Sequence, residues 1–145
     1  MAIKHTHKKT TKKVNPLTGF LLLLISIVLF MLTVPFGIIY GIAYTFFTKS
    51  FKGLGEFTLK ISISLDQLGN VAMQYLFNEI MILRGGYKFG NRDETISSVI
   101  GKNVKLKKLS TFGKLINSVL DFIDIGHSLN SIDYYIEPIE DNIKK

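Results

Sequence analysis

The sequence predicts a mainly α chain, with one N-terminal transmembrane helix kinked near Pro35 and a small helical domain after it. Three observations carry this expectation. The run Leu17–Phe47 holds no charged residue and is bounded by Lys12 and Lys13 on one side and by Lys49 and Lys52 on the other. Between Phe57 and Ile80, apolar residues recur every three or four positions, which is the period of one helix face. Further on, short apolar stretches are opened by Ser, Thr, Asn or Asp and closed by Gly, the punctuation of short helices. On this basis the chain divides into a basic tail (1–16), a membrane anchor (17–48), an interfacial linker (49–55), an α-helical domain (56–137) and a charged C-terminal tail (138–145).

A bilayer core of about 30 Å is crossed by about 20 apolar residues. As a straight helix the uncharged run would be about 46 Å long, so tilt, a kink or an exposed end must absorb the excess. Pro35 supplies the kink, because its missing N–H removes the bond to the Met31 carbonyl and its ring crowds that turn. The best single span is Leu17 to about Tyr40, with Tyr40 and Tyr44 at the far interface, where ring and hydroxyl are both accommodated. The competing arrangement is a hairpin turning at Pro35–Gly37, but its second arm, Phe36 to Phe47, is short for a crossing. Gly37, Gly41 and Thr45 fall on one face at four-residue spacing, the small-residue pattern through which two membrane helices associate. A cleaved signal peptide is not expected. The apolar region is too long for one, and its small-residue site, Gly41-Ile42-Ala43, lies deep inside it.

The net charge is +7, and five of the 18 basic residues, Lys4, Lys8, Lys9, Lys12 and Lys13, lie in residues 1–16, where there is no acid. A lysine tail beside a membrane span reads as a topology signal drawn to anionic lipid. Nucleic-acid binding is therefore not expected, and the N-terminus is placed in the cytoplasm. The chain has no cysteine, which excludes disulfides and thiolate zinc sites.

In the domain, Phe57, Ile61, Leu65, Leu68, Ala72, Leu76 and Ile80 form the apolar face of a helix running to about Leu83. The segment Phe57–Leu65 also alternates as a strand would. Arg84-Gly85-Gly86 ends the element, with glycine supplying a left-handed turn. A short helix follows through Ile100, capped by Asn91 or Asp93, with Asp93 and Glu94 at the positive end of its dipole. Gly101 closes it, and Lys102–Lys108 reads as a solvated basic loop. Ser110 or Thr111 caps the next helix, whose stripe is Phe112, Leu115, Ile116, Val119, Leu120 and Ile123. Gly126 breaks that pattern, and a last short helix covers about Leu129–Ile136 before Pro138.

Candidate chemistry is sparse. His127 sits three residues after Asp124, and an Asp-x-x-His pair can hold a neutral imidazole in one tautomer, as a general base requires. The competing reading is a helix-terminal histidine capping carbonyls. Asp93 and Glu94 could act as paired carboxylates, against a plainer role as cap and dipole partners. Ser97 lacks the G-x-S-x-G setting of a nucleophile. Asp66, Gln67 and Asn70 share a helix face, and the glycine-rich loop at residues 85–91 is their natural partner. No phosphate-binding loop, nucleotide fingerprint or metal spacing occurs, so neither cofactor nor metal is expected.

Taken together, Leu65-Asp66-Gln67-Leu68-Gly69-Asn70, Gly85-Gly86-Tyr87, Asp93-Glu94-Thr95-Ile96-Ser97-Ser98 with Gly101-Lys102-Asn103, and Leu120-Asp121-Phe122-Ile123-Asp124 followed by His127-Ser128 resemble a family of small, uncharacterised membrane proteins of tailed bacteriophages and prophages. The resemblance spans about residues 63–132. In that family a cysteine often follows the histidine; Ser128 stands there in this chain, so no thiol role carries over. The resemblance implies a phage-encoded product and no particular activity; the anchor lies outside the resembling segment, and it is the anchor that places the product in the host inner membrane. The expected function is that of a binding or regulatory module at the host envelope, with lipid and a host envelope protein as partners and more expected of binding than of catalysis. Two alternatives are a holin-like pore former assembling through Gly37, Gly41 and Thr45, and a membrane-anchored hydrolase using Asp93, Glu94, Asp124 and His127.

Overall fold

The computed structural model describes residues 15–134, most of them in helices, and no strand occurs among them. Five helices follow one another: α1 (Pro16–Ala72), α2 (Gln74–Ile80), α3 (Ile96–Lys105), α4 (Thr111–Ile123) and α5 (His127–Asn130). The chain forms two compact units, residues 1–54 and 55–145. The tails at 1–14 and 135–145, including the end of the helix expected to reach Ile136, lie outside the described residues.

The first unit is helical from Pro16. Asn15 caps it, its side-chain oxygen accepting from the Leu17 N–H at 3.0 Å, and Pro16 occupies the first helical position, where its missing N–H costs nothing. Nearly all the large apolar side chains from Leu17 to Phe47 are exposed. The helix is long and apolar enough to cross a membrane, and its backbone bonds are satisfied within the segment, as hydrocarbon demands. Three of its threonine hydroxyls are satisfied the same way. Thr33, Thr45 and Thr48 donate to the carbonyls of Leu29, Gly41 and Tyr44 at 2.7, 2.7 and 2.6 Å.

The chain stays helical through Pro35, so no hairpin forms. Helical dihedrals are lost instead at Ser50, with φ 60° and ψ −170°. The residues read as a linker, 49–55, are thus helical on both sides of that one break. Phe46 packs edge-on against Phe47 and Phe51, each at 5.4 Å between ring centres.

In the second unit the segment 57–65 is helix, not strand. Phe57 and Ile61 are half-buried as expected, but from Leu65 on the orientation reverses the expected amphipathic arrangement. Leu65, Leu68 and Leu76 are exposed, whereas Asn70 is fully buried and Asp66, Gln67, Phe77 and Asn78 are half-buried. The physical reason lies in the segment 85–95, whose irregular backbone presents N–H and C=O groups that no helix or sheet satisfies; a polar helix face meets that demand and a leucine face cannot. The core is small: Met81, Ile82, Phe89, Val99, Ile100 and Leu109, ringed by side chains such as Phe77, Tyr87, Ile116 and Leu120. A single antiparallel bridge joins Ile82 to Leu109.

α3 does not begin or end where expected. Its cap is Thr95, whose hydroxyl accepts from the Ser98 N–H at 3.1 Å. Asp93 and Glu94 precede the cap and are not first-turn acids. Gly101 lies inside the helix, and Lys102–Lys105 is helix rather than solvated loop. A Cβ at Gly101 would stand 2.0 Å from the Ser128 carbonyl oxygen, so this glycine permits α5 to pack on α3 rather than closing a helix. Ser110 caps α4 as expected, accepting from the Gly113 N–H at 3.0 Å.

Candidate functional site

Three asparagines from three helical segments hold the loop 85–95. Asn70, near the end of α1, donates to the carbonyls of Asn91 and Glu94 at 2.9 and 2.7 Å and accepts from the Gly90 N–H at 2.9 Å. Asn78 of α2 binds both backbone groups of Phe89, at 2.8 and 3.2 Å. Asn103 of α3 does the same for Tyr87, at 2.8 and 2.7 Å. Each of the last two amides thus imitates the paired bonds of a strand neighbour. Gly85 begins the loop in the left-handed region, at φ 78°, where glycine has no Cβ penalty. Gly86 passes so close to Asn103 that a Cβ would lie 2.8 Å from its Oδ1.

Glu94 is fully buried at the end of this loop. One carboxylate oxygen accepts from Ser98 Oγ at 2.6 Å and pairs with Lys102 Nζ at 2.5 Å, while the other has no partner. The Lys102 ammonium also lies over the Tyr87 ring, 4.5 Å from its centre. Burial, and after it the charge and hydrogen bonding of Glu94, push the Tyr87 phenol above its ordinary value. Ser98 Oγ in turn accepts from the Asp133 N–H at 3.1 Å, which ties the end of the described chain to the same cluster.

Beside this clamp lies an open cleft of about 330 Å³, lined among others by Asp66, Gln67, Asp93, Ser97, His127 and Asp133. Asp66 reaches across from α1 to the start of α3, accepting from the Ile96 N–H at 3.1 Å and from Ser97 Oγ at 3.0 Å. It is therefore Asp66, rather than Asp93 or Glu94, that meets the positive end of the α3 dipole. Gln67 Nε2 donates to the Asp93 carbonyl at 3.3 Å. Asp93 is exposed and faces Arg92 at 3.7 Å.

His127 Nδ1 lies 3.0 Å from Asp124 Oδ2. The pair is not set by one helix. Asp124 ends α4 in an extended conformation, Gly126 turns the chain at φ 76°, and His127 opens α5. The histidine therefore stands at a helix start rather than capping terminal carbonyls.

The four residues considered for hydrolysis do not converge as a set, although Asp93 and His127 line the same cleft. Glu94 is locked in the core with Lys102, Asp93 sits on the cleft rim with Arg92, and Asp124 and His127 pair with each other in the α4–α5 turn. Among the described residues no group of three or more His, Asp or Glu side chains could hold a metal ion. The cleft wall carries carboxylates, an imidazole and hydroxyls. The sequence pointed to Asp66, Gln67 and Asn70, named Lys102 and Asn103 only within the resembling motif, and missed Asn78. Asparagine in a helix interior is itself a signal, because its side chain competes with the helix for backbone partners and is placed there at a cost. The sequence matches no protein-family model, no curated protein and no solved structure.

Proposed function

We propose that this chain is a membrane-anchored binding module of the cell envelope rather than an enzyme. The observation that carries the reading is the pairing of a helix able to span a bilayer with a folded unit whose buried ionisable groups are consumed in holding its own loop. The lysine-rich segment before the span places the N-terminus in the cytoplasm, by the charge bias of membrane insertion, and residues 55–145 on the opposite face of the inner membrane. The sequence resemblance supports reading the chain as phage-encoded, and on that reading its partner is a component of the host envelope.

Regulated expression of the full chain in a bacterial host, with membrane potential and growth followed together, tests this. The chain should fractionate with the inner membrane and leave the potential intact. Rapid depolarisation would overturn the reading in favour of a pore former. An effect on growth that vanishes in the Asp124→Ala/His127→Ala double variant, with its fold intact and the potential preserved, would show that the pair acts directly, in specific binding or in catalysis.

A further inference from the structure

The apolar arc of α4 is wider than the core uses. At about 100° per residue, Ile116 and Leu120 fall on the side that packs against the core, and the stripe Phe112, Leu115, Val119, Phe122 and Ile123 continues the arc onto the exposed surface. Exposure rises along it, to 77% at Ile123 and 90% at Phe122, and Ile125 just beyond the helix is also 90% exposed. A bare stripe of this kind marks an interaction surface.

The charges around it indicate which. From Thr95 to Leu120 the sequence has five lysines, Lys102, Lys105, Lys107, Lys108 and Lys114, and no acid, while Asp121 and Asp124 flank the C-terminal end of the stripe. Lys102 is spent on Glu94. Lys107 and Lys114 line one shallow depression of about 540 Å³ together with Asn117 and Ser118, and Ser118 and Phe122 are successive on the helix surface, which sets this basic depression at the edge of the apolar stripe. Aromatic and aliphatic side chains on one face with lysines at its margin are the pattern of a helix lying in a bilayer interface.

We propose that the exposed face of α4 docks on the surface of the anionic bilayer, with Phe122, Ile123 and Ile125 entering the headgroup boundary and Lys107 and Lys114 meeting lipid phosphates. The inference rests on the chain being membrane-anchored, which keeps the unit at high effective concentration beside lipid. A weak interfacial contact then suffices to hold it there.

The chain has no tryptophan, so Phe122→Trp places a single reporter on the stripe without touching the core. The full-length variant is reconstituted into vesicles containing phosphatidylglycerol and brominated phosphatidylcholine. The indole should emit to the blue, be quenched by the brominated lipid, resist acrylamide, and stay so as the chain is diluted in lipid. Adding Lys107→Glu and Lys114→Glu should lower the anionic-lipid dependence of the quenching, each lysine near the surface contributing about fivefold. An indole open to acrylamide and untouched by brominated lipid overturns the proposal. So does one shielded from both whose shielding is lost on dilution, which would show that a second copy covers the stripe. Failure of the chain to float with the vesicles would instead overturn the membrane anchoring itself, and this inference with it.

Discussion

Gly101→Ala tests whether the close approach of α5 to α3 organises the folded unit. An exposed helical glycine replaced by alanine gains about 1 kcal/mol of helix propensity. At Gly101 the new methyl would lie 2.0 Å from the Ser128 carbonyl oxygen, 2.7 Å from its carbonyl carbon and 2.8 Å from Ile132 Cγ1. Two of these three are backbone atoms, so no rotamer change relieves the contact and α5 must move away. Overpacking of this kind costs about 1–3 kcal/mol and occasionally more, and the short distance to main chain puts the gross cost at the upper end. After the propensity gain, the net loss is about 2 kcal/mol. For a unit of this size each kcal/mol shifts the melting temperature by about 4–8 °C, so a fall of about 8–16 °C is expected. The temperature dependence of near-ultraviolet circular dichroism of the full chain in detergent reads it through Tyr87, which packs against the core of the folded unit. Gly55→Ala is the control. It is also helical, a Cβ there meets nothing within 4 Å, and it should be neutral or raise stability by up to about 1 kcal/mol. A Gly101→Ala protein that melts at or above the wild-type temperature would refute the packing argument.

The remaining expectations concern the loop and the charges beneath it. Thr95→Ala should cost about 0.5–2 kcal/mol as the loss of an N-cap, while Asp93→Ala should change stability by less than about 0.5 kcal/mol; urea titrations giving the reverse order would restore Asp93 as the cap. Lys102→Met leaves Glu94 buried without its cation and should cost about 3–5 kcal/mol, with most of the loss recovered when Glu94→Gln is added; equal stability of the single and double variants would refute the pairing. Tyr87 holds its proton more tightly when folded than when unfolded, where it ionises near pH 10. The unfolded state therefore loses that proton first, and Tyr87's contribution is complete below about pH 10 and is lost as pH rises beyond it. Urea midpoints compared from pH 8 to 11 should fall more steeply for the wild type than for Tyr87→Phe, and parallel curves would refute the assignment.

The parts of this fold legible from sequence are those set by local rules. The uncharged run ending before Lys49 dictates a helix whatever surrounds it, and Ser110 caps α4 because a hydroxyl before an amphipathic stretch needs only its own turn. The misreadings share a different origin. Asp93 and Glu94 look like first-turn acids, yet the charge at the α3 N-terminus comes from Asp66 on α1, which sequence spacing cannot place. Gly101 looks like a terminator until the Ser128 carbonyl arrives beside it. The apolar residues from Phe57 to Ile80 look like a buried face, but the loop 85–95 has the stronger claim on the helix because its backbone groups have no other partners.

That reversal bears on what the unit is for. A soluble domain of this size would turn every leucine it could toward its core, since burying apolar surface is its main source of stability. Here Leu65, Leu68 and Leu76, together with Phe112, Leu115, Val119 and Phe122, remain exposed, while asparagines and an ion pair occupy the interior. Buried polar groups of this kind fix one loop geometry at some expense in stability. The unit therefore combines a loop held by buried polar groups with an exterior that keeps many apolar side chains exposed, and it follows in sequence a helix long and apolar enough to cross a membrane.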